Sequence, residues 1–197
     1  MKKLLEIVVL GLLLITSLQA DDISDFEIEG ISIGDTLLDY YSEKEILENS
    51  IADYNSKKFI RFIPYNTSLN LKEFDTINFH YKKNSGYKVY EISGGVVFYD
   101  NHEKCKTRMY EIVSEIESIF IGYKKRNEGT APFYDVDSSG KSIVTRVLFL
   151  KKNSGYIEIA CYDYSKKIEN EYKWVDSLRI SVNNSEFQNW LNNEAYD

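Results

Sequence analysis

Two cysteines have the most definite chemistry in this sequence. Cys105 and Cys161 are its only thiols, and no histidines accompany them at the spacing of a zinc site. In an oxidising compartment such residues pair, whereas in a reducing one a lone cysteine could be a nucleophile or a metal ligand. We favour a disulfide between Cys105 and Cys161, because the N-terminus predicts export.

A short acidic segment resembles the first half of a calcium-binding loop. Asp135, Asp137 and Ser139 would supply oxygen ligands at the first, third and fifth positions, and Gly140 stands at the sixth. The twelfth position, which needs a bidentate glutamate, is Arg146. We therefore favour a turn between two strands, with calcium as the alternative, and predict no cofactor.

The chain has two histidines, and either could be a general base. His80 falls on the polar side of a predicted strand, and His102 in the first turn of a predicted helix. Neither is accompanied by a nucleophile elbow, an HExxH motif or a carboxylate pair of arguable separation. The sequence therefore favours a protein that is not an enzyme.

Sixteen tyrosines are the unusual feature of the composition. Tyrosine combines an apolar ring with a polar tip and suits recognition surfaces, although it also packs well within sheets. We predict a binding surface on one sheet face around His80, Tyr90 and Tyr162. The alternative is that the tyrosines serve sheet packing.

One predicted helix, at residues 100–120, must position these groups. Asp100 is the expected N-cap, and Gly122 follows the expected end. Apolar residues recur at the helical spacing and form one stripe: Cys105, Met109, Ile112, Val113, Ile116, Ile119 and Phe120. The stripe needs a sheet to lie on.

Alternating apolar and polar residues predict that sheet. The expected strands are 57–64, 74–81, 87–92, 96–99, 133–137, 142–150, 156–164 and 171–182, with a bulge or bend at Gly94 and Gly95. The last strand would place Trp174 on the same inward face as Leu178. Helical segments are expected at 35–47 and, with Phe187, Trp190 and Leu191 inward, at 185–192. The predicted class is α+β, with antiparallel sheet packed on a central amphipathic helix and one wet sheet face.

A hexapeptide occurs twice, as residues 82–87 and 151–156, with the sequence KKNSGY. Two interpretations are open. The chain contains a tandem duplication of an αβββ unit, with halves 30–99 and 100–182, or a favourable tight turn arose twice. In either case no linker divides residues 21–197, so we predict a single domain.

The first twenty residues have the layout of a secretory signal peptide. Lys2 and Lys3 precede an apolar run over residues 7–15, and Ala20 is a suitable cleavage site. The run is too short to span a bilayer, which disfavours the alternative of a membrane anchor. We therefore expect a periplasmic or secreted protein, cleaved near Ala20, with no membrane span in the mature chain.

The charge distribution argues against nucleic acid as a partner. The formal net charge is −7, and the lysines and arginines are scattered in small groups along the chain. Phosphate neutralisation requires clustered basic residues. A cationic partner is mildly favoured over an anionic one.

The segment GISIGDTLLDYYSEKEI, residues 30–46, resembles the opening of uncharacterised secreted proteins of marine alphaproteobacteria. This resemblance implies export and implies no chemistry. The order of predicted elements is also similar, more loosely, to small periplasmic domains of the outer-membrane lipoprotein and β-lactamase-inhibitor type. In those domains a short helical pair precedes an antiparallel sheet.

Taken together, these patterns lead us to expect a periplasmic or secreted protein-binding module whose partner is another envelope protein. The alternative is a small-molecule binder or a hydrolase-type enzyme with a pocket between helix and sheet. An exposed aromatic patch would favour the first, and a deep polar cleft containing a histidine would favour the second.

Overall fold

The fold is built on an eight-stranded antiparallel sheet, and the computed structural model describes residues 22–65 and 70–197 of the chain. A small ladder joins β1 (Glu27–Ile28) to β2 (Ile31–Ser32). The main sheet contains β3 (Ser50–Ile51), β4 (Phe59–Phe62), β5 (Thr76–Lys82), β6 (Val89–Val97), β7 (Lys124–Pro132), β8 (Ile143–Lys151), β9 (Gly155–Asp163) and β10 (Ser177–Asn183). Their order is β3-β4-β5-β6-β10-β9-β8-β7. The predicted signal peptide, residues 1–20, lies outside the described residues.

Four α-helices occur in the described part of the chain: α1 (Glu43–Glu48), α2 (His102–Ile119), α3 (Lys166–Tyr172) and α4 (Ser185–Asn193). Ser42 caps α1, since its hydroxyl accepts from the Glu45 N–H at 3.2 Å. The N-cap of α2 is Asn101, whose side chain accepts from the Lys104 N–H at 3.1 Å. Asp100, the predicted cap, instead adopts a left-handed conformation with φ +48°, so the N-cap of α2 lies one residue later than predicted.

Helix α2 packs on one face of the main sheet, which we call the helix-side face. Its buried stripe consists of Cys105, Met109, Ile112, Val113 and Ile116. The sheet contributes Phe79 from β5, Ile92 from β6, Ile157 and Ile159 from β9, and Ile180 and Val182 from β10. The N-terminal residues Ile23, Phe26, Ile28, Ile31 and Leu37 complete this core. The predicted α+β class, a sheet packed on a central amphipathic helix, is confirmed.

The predicted disulfide is also present. Cys105 of α2 is bonded to Cys161 of β9, with the two Cα atoms 5.9 Å apart. Cys161 lies on the helix-side face beside Leu178 of β10, its Cα partner. The bond therefore fixes the central helix to the middle of the sheet.

The prediction of one strand over residues 171–182 is wrong in its first half. Residues 166–172 form α3, and β10 begins only at Ser177. Lys173 ends α3 in a left-handed conformation with φ +60°, which interrupts the alternating pattern. As a result Trp174, expected to face inward, is 42% exposed.

Two other boundaries differ from the predicted strands. Residues 124–132 form β7, an exposed edge strand, whereas residues 133–137, predicted as extended, follow its end. Gly94 and Gly95 lie inside the continuous strand β6, and the register shift falls between His80 and Tyr81 of β5. Gly94 is required for another reason: a Cβ there would lie 2.5 Å from the Phe74 ring.

The sheet has the same number of strands on each side of the β6–β10 pair. A duplicated unit would place equivalent turns at equivalent positions on the two sides. The two copies of the hexapeptide, however, connect β5 to β6 and β8 to β9. The first turn joins the third and fourth strands counted from one sheet edge, whereas the second joins the second and third strands counted from the other edge. The two turns are therefore not at equivalent positions, which favours a recurrent turn as the origin of the sequence match.

Candidate functional site

Within residues 22–65 and 70–197, two helices cover the second face of the main sheet, opposite α2, one at each end. At one end α4 folds back and buries Phe187 and Trp190 against Phe59 of β4. At the other end α3 places Ile168 in a cluster with Val144, Ala160, Tyr162 and Tyr164. The predicted C-terminal helix therefore exists, but it covers a face that was expected to be wet.

A row of polar side chains crosses five strands beneath α4. Cα pairing places these residues side by side in the order Arg61, His80, Glu91, Asn183 and Tyr156. His80 Nδ1 and Glu91 Oε2 are 2.7 Å apart, and both residues are less than 10% exposed. The Phe187 ring lies 4.8 Å from the His80 ring, centroid to centroid.

Burial excludes His80 from direct contact with a substrate in this conformation. Its Nε2 has no hydrogen-bond partner among the described residues, and Glu91 fixes the orientation of the ring. An imidazole oriented by a carboxylate could be a general base if a substrate could reach it. Because α4 covers the ring, the pair instead holds β5 to β6 inside the fold.

The three residues of the predicted binding surface are on the same face but not in one site. Tyr90 packs on Phe59 with ring centroids 5.1 Å apart, near His80 and under α4. Tyr156 belongs to the same row of polar residues as His80, and Tyr162 lies six residues further along β9, a distance of about 20 Å. The structure therefore separates Tyr162 from His80 and Tyr90.

Tyr162 is the buried base of a network of charged groups. Its hydroxyl donates to Glu158 Oε1 at 3.1 Å, and Glu158 also lies 3.2 Å from Arg146 Nε. The Arg179 guanidinium lies over the Tyr162 ring, 5.2 Å from its centroid. Burial raises the pKa of the Tyr162 phenol well above its usual range, so Tyr162 stays neutral and acts as a rigid platform.

A continuous series of aromatic rings leads from Tyr162 to solvent. Tyr162 stacks on Tyr164 at 5.8 Å, Tyr164 contacts Trp174 at 5.4 Å, and Trp174 contacts Tyr172 at 5.5 Å. Trp174 is 42% exposed and Tyr172 is 52% exposed. We define the Trp174 surface by six residues: Tyr162, Tyr164, Tyr172, Trp174, Val175 and Arg179.

Local structure explains why Trp174 reaches solvent. Ile168 anchors the short helix α3 to the second face, and the left-handed Lys173 turns the chain sharply after Tyr172. The next residues then run back toward β10, where the Phe98 N–H donates to the Asp176 carbonyl oxygen at 2.8 Å. Trp174 is thus held at a corner, supported from below by Tyr164.

A group of three acidic side chains beside α3 has the composition of a metal site. Ligand oxygens of Asp100, Glu169 and Asp176 lie within 4.8 Å of one another. Lys166 Nζ contacts Asp100 at 2.7 Å and Glu169 at 3.0 Å, while Asp176 accepts from the Tyr164 N–H at 2.8 Å. Lys166 places a positive charge between two of these carboxylates, and backbone N–H groups donate to the third, so we interpret the group as an ion cluster that fixes α3.

The calcium-loop candidate forms a hydrogen-bonded turn. Asp137 Oδ1 accepts from the Ser139 N–H and hydroxyl at 3.0 and 2.6 Å, and Oδ2 accepts from those of Ser142 at 3.1 and 2.9 Å. These hydrogen bonds, of which the one from the Ser139 hydroxyl has the largest effect, hold the pKa of the Asp137 carboxyl well below its usual range. Donors thus occupy both oxygens of Asp137, while Asp135 is exposed.

Concave space was the feature expected of the alternative, a ligand binder. A groove of about 510 Å³ lies beside the turn that follows β5, and its lining includes Leu47, Ile60, Tyr81 and Tyr87. Its lining also includes Lys82, Lys83 and Asn84 and contains no histidine. The groove therefore does not combine with His80 or His102.

The sequence pattern points to Tyr162 but does not reveal Tyr172, Trp174 and Arg179 as its neighbours. The alternation predicts an inward strand position for Trp174. The available signal was Ser165 followed by Ile168 and Lys173, a start, an anchor and an end for one short helix.

Among the described residues, no helix is both long and apolar enough to cross a membrane. Comparison with known proteins gives no match to a family model, to a curated protein or to a solved structure.

Proposed function

We propose that this protein is an exported binding module that contacts another protein of the cell envelope through the Trp174 surface. Export is supported by the signal-peptide pattern of residues 1–20 and by the disulfide between Cys105 and Cys161, a bond typical of oxidising compartments. The residue types that the surface presents indicate that the partner is a protein.

The single observation that carries the proposal is the exposure of Trp174 on a rigid aromatic support. Tryptophan, tyrosine and arginine are the residues most enriched among those that dominate protein–protein binding energies. Trp174, Tyr172 and Arg179 supply all three types on one surface. Val175, 37% exposed, extends the apolar area at its edge.

The chemistry of the other groups supports binding over catalysis. His80 is covered by α4, and both oxygens of Asp137 accept hydrogen bonds within their own turn. A catalytic site would need an accessible acid or base beside a concave space. The Trp174 surface has aromatic area and an arginine, which suit recognition.

Site-specific photo-cross-linking tests this proposal in the organism's own envelope. A benzophenone side chain replaces Tyr172, which is 52% exposed on the Trp174 surface, or Tyr110, which is 41% exposed on α2 behind the sheet. We expect a discrete cross-linked protein from position 172 alone, and its loss on adding Trp174→Ala. The same product from both positions, or none from position 172, would contradict the proposal.

A further inference from the structure

Arg179 differs from the other arginines in its charge partners. The other four each have a carboxylate oxygen within 4.0 Å: Arg61 with Asp53, Arg108 with Glu111, Arg126 with Glu128, and Arg146 with Glu158. Arg179 has no such partner among the described residues, and its contact is with the Tyr162 ring. A half-buried guanidinium is thus held in place without a counter-charge.

Arg179 is partly exposed, and the residues beside it on the neighbouring strands are small. Its Cα partners are Gly95 on β6 and Ala160 on β9, which have no side chain or only a methyl group. The space over Gly95 is taken by the Thr76 hydroxyl, since a Cβ on Gly95 would lie 2.6 Å from Thr76 Oγ1. A polar group, the Thr76 hydroxyl, therefore lies over Gly95 on the same face as Arg179.

Further hydroxyl groups lie on the same face of β10. Ser177 and Ser181 are each two residues from Arg179, and the two-residue period of a strand points all three side chains to the second face. Hydroxyl donors and a guanidinium together match the acceptor oxygens of a carboxylate.

The position of the guanidinium is fixed before any ligand arrives. Tyr162 supports it from below, and the hydrogen bond to Glu158 fixes the Tyr162 ring in turn. A planar guanidinium on an aromatic face keeps its edge free to form two parallel hydrogen bonds with a carboxylate. A cation fixed in this way loses little conformational entropy on binding.

We propose that Arg179, held over Tyr162, is a carboxylate-binding subsite. The assignment of this carboxylate to the protein partner rests on the proposed function, in which Arg179 adjoins the aromatic residues of the Trp174 surface. A partner segment with an acidic side chain or a free C-terminus would then place an apolar group on Trp174 and its carboxylate on Arg179.

NMR titration of the isotopically labelled, oxidised protein tests the subsite. The probes are N-acetylglutamate N-methylamide for a side-chain carboxylate, N-acetylglycine for a terminal carboxylate, and N-acetylglutamine N-methylamide as the neutral control. We expect a saturable shift of the Arg179 Nε–H signal with one or both acids, with dissociation constants of the order of millimolar. The acid that saturates at the lower concentration identifies the source of the carboxylate.

Arg126 provides the matched internal control because Glu128 already neutralises it, with 2.8 Å between Nη2 and Oε1. Its Nε–H signal is expected to move little, and Arg179→Gln is expected to abolish saturable binding while Arg126→Gln preserves it. Equal shifts of both arginines, a response to the neutral amide, or unchanged binding by Arg179→Gln would overturn the subsite.

Cross-linking from position 172 separates this inference from the proposed function. If Trp174→Ala abolishes the cross-linked product but Arg179→Gln does not, the Trp174 surface binds a protein and the carboxylate inference is overturned. If the acids titrate Arg179 but no protein is cross-linked, the subsite is supported and the proposed function is overturned.

Discussion

Cys105 and Cys161 join helix α2 to strand β9 through a disulfide that closes a loop with a sequence separation of 56 residues. Both residues are at most 1% exposed. A cross-link of this length stabilises a fold by about 4 kcal/mol in the chain-entropy model, because it restricts the unfolded chain. We therefore expect the Cys105→Ser/Cys161→Ser variant to lose about that much free energy of unfolding in urea titrations.

Comparison of the wild type with this double variant provides the control. A reductant should lower the urea midpoint of the wild type and leave that of the double variant unchanged. Since both sulfurs are buried, reduction should require opening of the core. A wild-type midpoint that does not respond to complete reduction would contradict this account of stability.

The two tryptophans differ in environment, which predicts a difference in fluorescence. Trp190, on the side of α4 that packs against Phe59, is fully buried and donates from Nε1 to Ser56 Oγ at 3.0 Å, whereas Trp174 is 42% exposed. In Trp190→Phe the remaining emission, from Trp174, should lie at longer wavelength and be quenched efficiently by acrylamide. In Trp174→Phe it should be blue-shifted and poorly quenched. Equal quenching of both variants would show that Trp174 is not available to a partner.

The central helix and its disulfide could be predicted because the information is local and strongly periodic. Cys105 and Met109 lie four residues apart on one apolar stripe, and a stripe of that kind has few alternative explanations. Cys161 belongs to an equally clear alternation with Ile157 and Ile159. With two cysteines on two core-facing patterns, the pairing followed.

The candidate site could not be predicted because it depends on how separate elements meet. Trp174, Asp176 and Leu178 follow one another at intervals of two residues, as on one face of a strand, although the left-handed Lys173 shows that the strand starts later. His80 alternates correctly to the polar face, but the sequence does not show that α4 returns to cover it. A tertiary contact decided the case of His80, and the local signal for Trp174 was limited to the short helical pattern from Ser165 to Lys173.

The two glycines of the repeated hexapeptide should respond differently to alanine. Gly86 and Gly155 both have positive φ, +72° and +111°, but a Cβ on Gly86 would meet nothing within 4 Å. A Cβ on Gly155 would overlap the Asn183 carbonyl oxygen and lie 2.8 Å from Asn184 Cα. Gly86→Ala should therefore cost only the left-handed conformation, about 1 to 2 kcal/mol.

Gly155→Ala adds a backbone overlap that no side-chain rotation relieves, so we expect a loss of about 4 kcal/mol or more in urea unfolding. The two variants are matched in sequence context, since each changes the glycine of the same six residues. Equal losses would show that β9 and the start of α4 are not in contact. Equal losses would also favour the interpretation that the two turns are equivalent parts of a duplicated unit.

His102 is the residue most suited to testing the environment of the α2 N-terminus. Its Nε2 lies 2.9 Å from Thr145 Oγ1, and its Nδ1 has no partner among the described residues. Burial lowers the pKa of His102 from the usual 6.5, and the nearby charge of Lys106 acts in the same direction. Asp163 and Asp176 oppose the shift but do not reverse it.

A lowered pKa in the folded state gives a definite sign to the pH dependence. Well above about pH 6.5 His102 is neutral in both states, and the stability contribution is fully present. As the pH falls below that value, the unfolded chain binds a proton that the native His102 resists, so stability is lost. Asp163, whose pKa is raised by burial, has the opposite effect, centred nearer the ordinary aspartate value of 3.8.

We therefore expect wild type to lose more stability than His102→Asn between about pH 7.5 and about pH 5.5, measured by urea unfolding. His80 is present in both proteins and cancels in the comparison, so parallel losses would mean that His102 is as readily protonated in the folded chain as in the unfolded one.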